Sequence, residues 1–174
     1  LVAAAPTTIV NIGCASGYYA VGIALRLPGA EVHAFDIEPA ARANCRETAR
    51  LNGVAGRVII GERFAPADFE RFAGRNALVV VDIEGAELEL LDPAASPALA
   101  GLTVLVECHD CFRPGVADAL SARFAASHRV TRIDHAAQAL KLPQWLMDGD
   151  QLDQLIAAWE WRQGPTPGLL LEPA

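Results

Sequence analysis

Two features near the start of the chain have the residue types and spacing of a nucleotide-binding site. Gly13 and Gly17 form a glycine-bearing turn directly after the short apolar run 8–12. Asp36 follows 23 residues after Gly13, at the end of a second apolar run, 31–35. Glycines let a backbone pass close to a ligand, and an acidic residue about 20 positions further on typically hydrogen-bonds a ribose diol. The pair indicates a nucleotide-type cofactor, although a ligand-free turn and a helix-capping carboxylate would explain the same residues.

The glycine spacing distinguishes between nucleotide cofactors. A dinucleotide fingerprint G-x-G-x-x-G that begins at Gly13 needs a small residue where the chain has Tyr18, so an NAD site is not favoured. The spacing of Gly13, Ala15 and Gly17 resembles motif I of the class I S-adenosylmethionine (SAM) methyltransferases, which reads acidic-x-G-x-G-x-G. Asn11 stands at the acidic position of that motif, and Ala15 stands at its middle glycine. The resemblance implies SAM as the cofactor.

Four ionisable side chains follow two strongly apolar runs further along the chain. Asp82 and Glu84 come after the first run, and Glu107 and His109 come after the second. Because the carboxyl ends of neighbouring parallel strands meet at one edge of a sheet, we expect these side chains to surround one small volume. Repulsion between the carboxylates raises the pKa of at least one of them. His109 is then the natural proton acceptor near neutral pH, because imidazole titrates in that range.

The same four side chains have two other interpretations. They could hold a hard divalent cation, an alternative that we do not favour because the number of ligands cannot be read from a sequence. They could also be structural: Glu84 and Glu87 open a helix, whose positive end attracts carboxylates, and His109 could bond a backbone carbonyl in a loop.

The segment 82–91, DIEGAELELL, resembles the recurrent element of FkbM-type SAM methyltransferases, a strand that runs into D-x-E-G-x-E and then an aliphatic pair. That family often has a following strand that ends in an acid and a histidine, which are Glu107 and His109 here. The resemblance covers about residues 8–133. It implies O-methylation of a hydroxyl on a small molecule or a sugar-like acceptor.

The resemblance also implies roles for individual residues. It places seven residues around SAM: Asn11, Gly13, Ala15, Gly17, Asp36, Glu62 and Asp82. Asp36 would bind the ribose hydroxyls, and Glu62 would lie near the adenine. The candidate catalytic residues are His109, Asp82 and Glu107, because a hydroxyl acceptor must be aligned with the activated methyl group and must lose a proton. Two alternatives stay open, a non-catalytic SAM or adenosine-binding module and, more distantly, an NAD-dependent oxidoreductase.

Strand and helix patterns alternate along the chain, which predicts a doubly wound α/β fold with helices on both faces of a mostly parallel sheet. We expect a seven-stranded Rossmann-like methyltransferase sheet. The predicted strands are 8–12, 31–35, 58–60, 77–81, 102–106, 129–133 and 169–171. The predicted helices are 18–27, 39–51, one that runs through 91, 116–126 and 152–161. Trp145, Trp159 and Trp161 are interpreted as residues that pack in the core or on the surface, with a lid or substrate wall as the alternative.

Composition limits the remaining choices. The 174 residues, 52% of them hydrophobic, suit one domain spanning 1–174, which could be a fragment of a longer chain because it begins with Leu1. A net charge of −7 and the lack of a Lys/Arg cluster argue against nucleic acid as partner. The small-molecule acceptor is what the resemblance implies. No apolar run reaches the roughly 20 residues that span a bilayer, so we expect no membrane partner and a cytoplasmic location. Oligomeric state is left open.

The four cysteines are expected to be reduced thiols, which agrees with a cytoplasmic location. Cys108 and Cys111 form a C-x-x-C, but no second pair stands at zinc-finger spacing, so structural zinc is not expected. Cys14 and Cys45 are interpreted as small buried residues.

Overall fold

A seven-stranded sheet lies at the centre of the protein. The computed structural model describes residues 5–134, 142–158 and 164–174. The strands are β1 (Thr8–Ile12), β2 (Glu31–Phe35), β3 (Val58–Gly61), β4 (Ala77–Val81), β5 (Thr103–Glu107), β6 (His128–Ile133) and β7 (Gly168–Pro173). Their order across the sheet is β3-β2-β1-β4-β5-β7-β6. The pairs among β1 to β5 are parallel, whereas β7 runs antiparallel to both β5 and β6.

Helices cover both faces of this sheet, as the alternating sequence pattern predicts. The helices of the described residues are α1 (Tyr18–Arg26), α2 (Pro39–Leu51), α3 (Glu87–Leu90), α4 (Val116–Phe124), α5 (Gln144–Met147) and α6 (Gln151–Ala158), of which α1, α2 and α4 contribute to the apolar clusters against the sheet. Side chains of β1 alternate between two apolar clusters: Val10 and Ile12 belong to one with α4, and Ile9 belongs to the other with α1 and α2. The doubly wound, mostly parallel α/β prediction is therefore confirmed.

The element bounds differ from the predictions by one or two residues at several ends of both strands and helices. Helix α2 has the predicted bounds, with Pro39 in its first turn and Gly53 at φ +71° just after its end. Helix α4 ends at Phe124, two residues before the predicted end, and α1 ends one residue early. Helix α6 ends at Ala158, and the rest of that predicted helix, with Trp159 and Trp161, lies outside the described residues.

Trp145 lies on the surface and not in the core, which leaves surface packing of the two kinds of packing expected for it. It lies on α5 with 74% of its surface exposed. Helix α5 has only four residues, and none of them is buried. Among the described residues, no helix is long and apolar enough to span a membrane.

The strand order changes direction between β1 and β4, and backbone hydrogen bonds draw the loops after the strands together there. The N–H groups of Gly13 and Cys14 both donate to the carbonyl oxygen of Phe35 at 2.9 Å. The N–H group of Asp82 donates to the carbonyl oxygen of Ile12 at 3.0 Å. In open α/β sheets, ligands bind at such a switch point, outside the carboxyl ends of the strands.

Candidate active site

A cavity of about 500 Å³ opens at the carboxyl edge of the sheet. The loops that follow β1, β2, β3 and β4 form its walls, and its size is in the range of small-molecule sites. Five of the seven residues predicted to surround a cofactor line it: Gly13, Ala15, Asp36, Glu62 and Asp82. Much of the remaining wall is apolar: Ile12, Phe35, Ile37, Phe64, Ile83 and Leu90.

Gly13 is required by the close approach of two loops. Its φ is +83°, and a Cβ atom built there would lie 1.6 Å from the carbonyl oxygen of Asp82. A side chain at this position would force the β1 and β4 loops apart, so glycine is needed whether or not a ligand binds.

The structure places Gly17 and Asn11 outside the lining of the cavity. Gly17 precedes α1 with φ +91°, and a Cβ atom there would lie 3.1 Å from the Cys45 sulfur and 3.2 Å from a methyl group of Val21. Its glycine is therefore explained by the turn and by packing of α1 against α2. Asn11 is completely buried in β1, and its amide atoms have no hydrogen-bond partner within the described residues.

Asp36 joins the two loops on the cofactor side of the cavity. One carboxylate oxygen accepts a hydrogen bond from the Ala15 N–H group, and the other accepts one from the Glu38 N–H group, both at 2.9 Å. Glu38, not Asp36, occupies the N-cap position of α2. Because Asp36 accepts the Glu38 N–H group, it still satisfies a donor at the start of that helix, and the helix-capping interpretation stays open. Because a carboxylate has about four acceptor sites, Asp36 can still accept bonds from two hydroxyl groups.

Glu62 follows β3 directly and lines the same cavity. Its side chain is 83% exposed, and one oxygen lies 3.5 Å from the guanidinium of Arg42. The same guanidinium donates to the carbonyl oxygens of Asp36 and Ile37, each at 2.9 Å. Arg42 therefore braces the loop that presents Asp36.

The four ionisable side chains predicted to converge do so around His109. This imidazole is completely buried and stacks on the Phe112 ring, with centroids 5.7 Å apart. Its Nε2 atom lies near three carboxylate oxygens: 3.2 Å from Glu84, 3.5 Å from Asp82 and 4.0 Å from Glu107. Asp82 and Glu84 also line the cavity, so the cluster borders the cofactor side directly.

Glu87 is the functional candidate that sequence reasoning missed. The sequence suggested that Glu87 faces the positive end of a helix, but α3 has only four residues and the Glu87 side chain is completely buried. One Glu87 oxygen lies 2.6 Å from His109 Nδ1 and also accepts the Gly85 N–H group at 2.9 Å. Nδ1 therefore donates to Glu87, and Nε2 faces the other carboxylates. The sequence signal that could have identified Glu87 is its position as the second glutamate of D-x-E-G-x-E.

Burial and charge act in opposite directions on the Glu87 and His109 pair. Burial lowers the pKa of His109, but the hydrogen bond to Glu87 and the charges of Glu87, Glu84 and Glu107 outweigh it, so the pKa rises above 6.5. Burial raises the pKa of Glu87, yet hydrogen bonds from His109 and the backbone bring it below its ordinary value. The pair thus favours an imidazolium next to a carboxylate.

None of the four cysteines belongs to the cluster around His109. Cys14, Cys45 and Cys108 are buried free thiols, and Cys111 is half-buried and also free. Burial, with the charge of Asp110 adding to it, raises the pKa of Cys108 to about 12, which opposes the thiolate form that zinc requires. Within the described ranges, three residues form a cluster with metal-ligand geometry, and none is a cysteine: Asp82, Glu84 and His109.

Comparison with known proteins identifies this architecture as a methyltransferase fold. No family model matches the chain. The chain superimposes on the O-methyltransferase TomG from Streptomyces achromogenes, involved in tomaymycin synthesis and solved with SAM, with a TM-score of 0.64 and 16% identity over 97% of this chain and 74% of that one. An O-methyltransferase from Bacillus cereus, solved with S-adenosylhomocysteine (SAH), gives a TM-score of 0.64 and 12% identity over 98% and 75%. The predicted Rossmann-like class I methyltransferase fold is confirmed.

One curated relative supports the same assignment at the level of sequence. The chain is 34% identical over 94 residues to a ribosomal protein L11 methyltransferase from Aeromonas salmonicida (strain A449). The match covers 54% of this chain and 29% of the relative, so the chain spans less than a third of the length of that protein. The relative and both solved neighbours are methyltransferases, which agrees with the predicted enzyme class and with SAM as the predicted cofactor.

Proposed function

We propose that the chain is an FkbM-type SAM-dependent methyltransferase that transfers a methyl group to a hydroxyl of a small or sugar-like molecule. One observation carries this proposal: the cavity that Gly13 and Asp36 line is also lined by Asp82 and Glu84, which contact His109. A cofactor side and a proton-accepting side thus share one space. We also propose that residues 1–174 form one domain, since the described strands belong to one sheet.

The residues on the cofactor side fit SAM. When bound, SAM supplies an activated methyl group. The glycine-bearing turn brings backbone close to the cavity at Gly13 and Ala15, and Asp36 retains acceptor capacity for the two ribose hydroxyls. Glu62 is the polar group of the wall toward which we place the adenine.

The residues on the acceptor side fit the removal of a proton. Glu84 and Asp82 belong both to the wall of the cavity and to the cluster around His109, so an acceptor bound in the cavity lies next to the cluster. His109 in its neutral form and Glu107 provide a nitrogen and an oxygen that receive the hydroxyl proton, and the raised pKa of His109 places that neutral form at higher pH. The surplus of carboxylates favours a neutral or cationic acceptor over an anionic one.

A ribosomal protein is the second candidate acceptor. It is favoured by the 34% identity to a ribosomal protein L11 methyltransferase, although the match covers only 54% of this chain. A non-catalytic SAM-binding module is the alternative of another class, since Asn11 replaces the acid of motif I and lies buried outside the cavity.

One set of assays separates these functions. Titration calorimetry should show binding of SAH and no binding of NAD to the wild-type chain. Labelled SAM should then methylate at least one member of a panel of hydroxylated metabolites, with a ribosomal protein as a separate arm. His109→Ala should lower turnover about 10²–10⁴-fold with little change in SAH affinity. SAH binding without transfer to any acceptor would support the binding module, and failure to bind SAH would overturn the proposal.

A further inference from the structure

The Nε2 atom of His109 has surroundings that a neutral imidazole does not suit. The ring is completely buried, and Nε2 makes no hydrogen bond within the described part of the chain. Since Nδ1 donates to Glu87, a neutral ring directs the Nε2 lone pair toward three carboxylates. That arrangement is repulsive unless a positive charge, either a proton on Nε2 or a metal ion, lies between the nitrogen and the oxygens. A proton on Nε2 makes no hydrogen bond to these oxygens, whereas a metal ion would contact the nitrogen and the carboxylates together.

We propose that Asp82, Glu84 and His109 bind a divalent cation. One ligand atom from each residue lies within 4.8 Å of the other two. Octahedral Mg²⁺ holds its ligands at about 2.0–2.1 Å, which separates neighbouring ligand atoms by about 3 Å. The distances from Nε2 to the oxygens of Glu84 and Asp82, 3.2 and 3.5 Å, are close to that spacing.

Glu87 orients His109 for this site by contacting the other ring nitrogen, Nδ1. A histidine that binds a metal generally donates its other ring N–H to a carboxylate, which fixes the tautomer and orients the ring. Glu87 accepts from Nδ1 at 2.6 Å, and the Gly85 N–H group holds the same oxygen at 2.9 Å. His109 is therefore held with Nε2 directed at the two carboxylates.

The ligand set indicates which cation the site binds. Two carboxylates and one imidazole suit Mn²⁺, which accepts both oxygen and nitrogen ligands, better than a thiolate-seeking metal. Asp82 and Glu84 line the cavity, so the remaining coordination positions face the space where we place the acceptor. This last consequence rests on the proposed function. In that reaction His109 is a ligand, and Glu107 is the remaining proton acceptor of the cluster.

Titration with Mn²⁺ alone tests the site. The purified chain is freed of metal with a chelator, dialysed and titrated with MnCl₂, and free Mn²⁺ is measured by its electron paramagnetic resonance signal. The wild type should bind one equivalent. Glu84→Gln, which changes an exposed and nearly isosteric side chain, should weaken binding at least tenfold, and Glu87→Gln should weaken it about 10–100-fold. Glu89→Gln is the matched control, because Glu89 lines the same cavity but lies outside the cluster.

The outcomes distinguish this site from the proposed function. Circular dichroism of each variant shows whether it is folded, and SAH affinity is measured by calorimetry on the metal-free chain. Mn²⁺ binding that is lost in Glu84→Gln and kept in Glu89→Gln supports the site, even if SAH does not bind. Wild-type chain that binds SAH but no Mn²⁺, or binds Mn²⁺ equally in Glu84→Gln, overturns the site and leaves the methyltransferase proposal intact.

Discussion

The buried pair of Glu87 and His109 makes a measurable prediction for stability. Both side chains are completely buried, so water cannot replace the hydrogen bond between them. Glu87→Gln keeps the volume but removes the charge that this bond depends on. Hydrogen bonds to charged groups contribute about 1.5–3 kcal/mol, so we expect Glu87→Gln to lower the free energy of unfolding by about that amount. The midpoint of urea unfolding should fall by roughly 1 M.

The loss should depend on pH in a defined direction. The pKa of His109 is raised above its ordinary value of 6.5, so the imidazolium stabilises the folded state fully below pH 6.5, and this contribution disappears as pH rises through the raised value. The pKa of Glu87 is lowered from 4.5, so its contribution is present above pH 4.5 and is lost as pH falls through the lowered value. The effect of Glu87→Gln should be largest between about pH 4.5 and 6.5.

Urea unfolding of wild type and variant, followed by circular dichroism at pH 6 and pH 9 with a chelator present, measures both effects. Glu89→Gln is the control, because Glu89 is 63% exposed and pairs with Arg113 at the surface. Surface substitutions of this kind change stability by about 0.5 kcal/mol or less. Equal stability of wild type and Glu87→Gln at pH 6, or a difference that grows toward pH 9, would refute the charged pair.

Three further predictions concern the cofactor side of the cavity. Asp36→Asn should weaken SAH binding about tenfold or more by calorimetry, because it removes a charged acceptor worth about 1.5–3 kcal/mol; unchanged affinity would remove Asp36 from the site. Gly13→Ala should unfold at markedly lower urea than Gly22→Ala, because a Cβ atom at Gly13 lies 1.6 Å from a backbone oxygen and one at Gly22 meets nothing within 4 Å; equal midpoints would contradict the loop geometry. Ala15 has φ +45°, a strained conformation that glycine adopts freely. Ala15→Gly should therefore not reduce the melting temperature, although glycine makes the unfolded chain more flexible, and a large fall would show that Ala15 is not strained.

Local signals in the sequence were sufficient to predict the edge of the sheet that carries the cavity. Each apolar run that ends in Gly13, Asp36 or Asp82 is a buried parallel strand, and the carboxyl ends of such strands must meet at one edge. The direction of β7 was not predictable in this way. An apolar run of six residues or fewer pairs equally well in either direction, and long-range packing decides between them.

Residues whose roles depend on packing between distant elements were harder to predict. Gly17 fits the spacing of a cofactor motif, but its surroundings are set by Cys45 on α2. Glu87 resembles an ordinary acidic residue at a helix start until α3 is seen to be four residues long. Its carboxylate is then turned inward toward His109, on a loop that follows a different strand. The hydrophobic periodicity of a single helix or strand cannot predict a contact between two separate elements.

Strained backbone occurs at two residues that line the cavity. Among the described residues, positive φ outside glycine occurs at Ala15 and at Glu84, with φ +45° and +56°. Both residues line the cavity, one in the turn braced by Asp36 and the other beside His109. A left-handed conformation costs a residue with a side chain roughly 1–2 kcal/mol, and such strain persists where the surrounding structure enforces it, often at functional sites. At Glu84 the strain turns a carboxylate toward a buried imidazole, a placement with a chemical use in proton removal or cation binding that packing alone does not require.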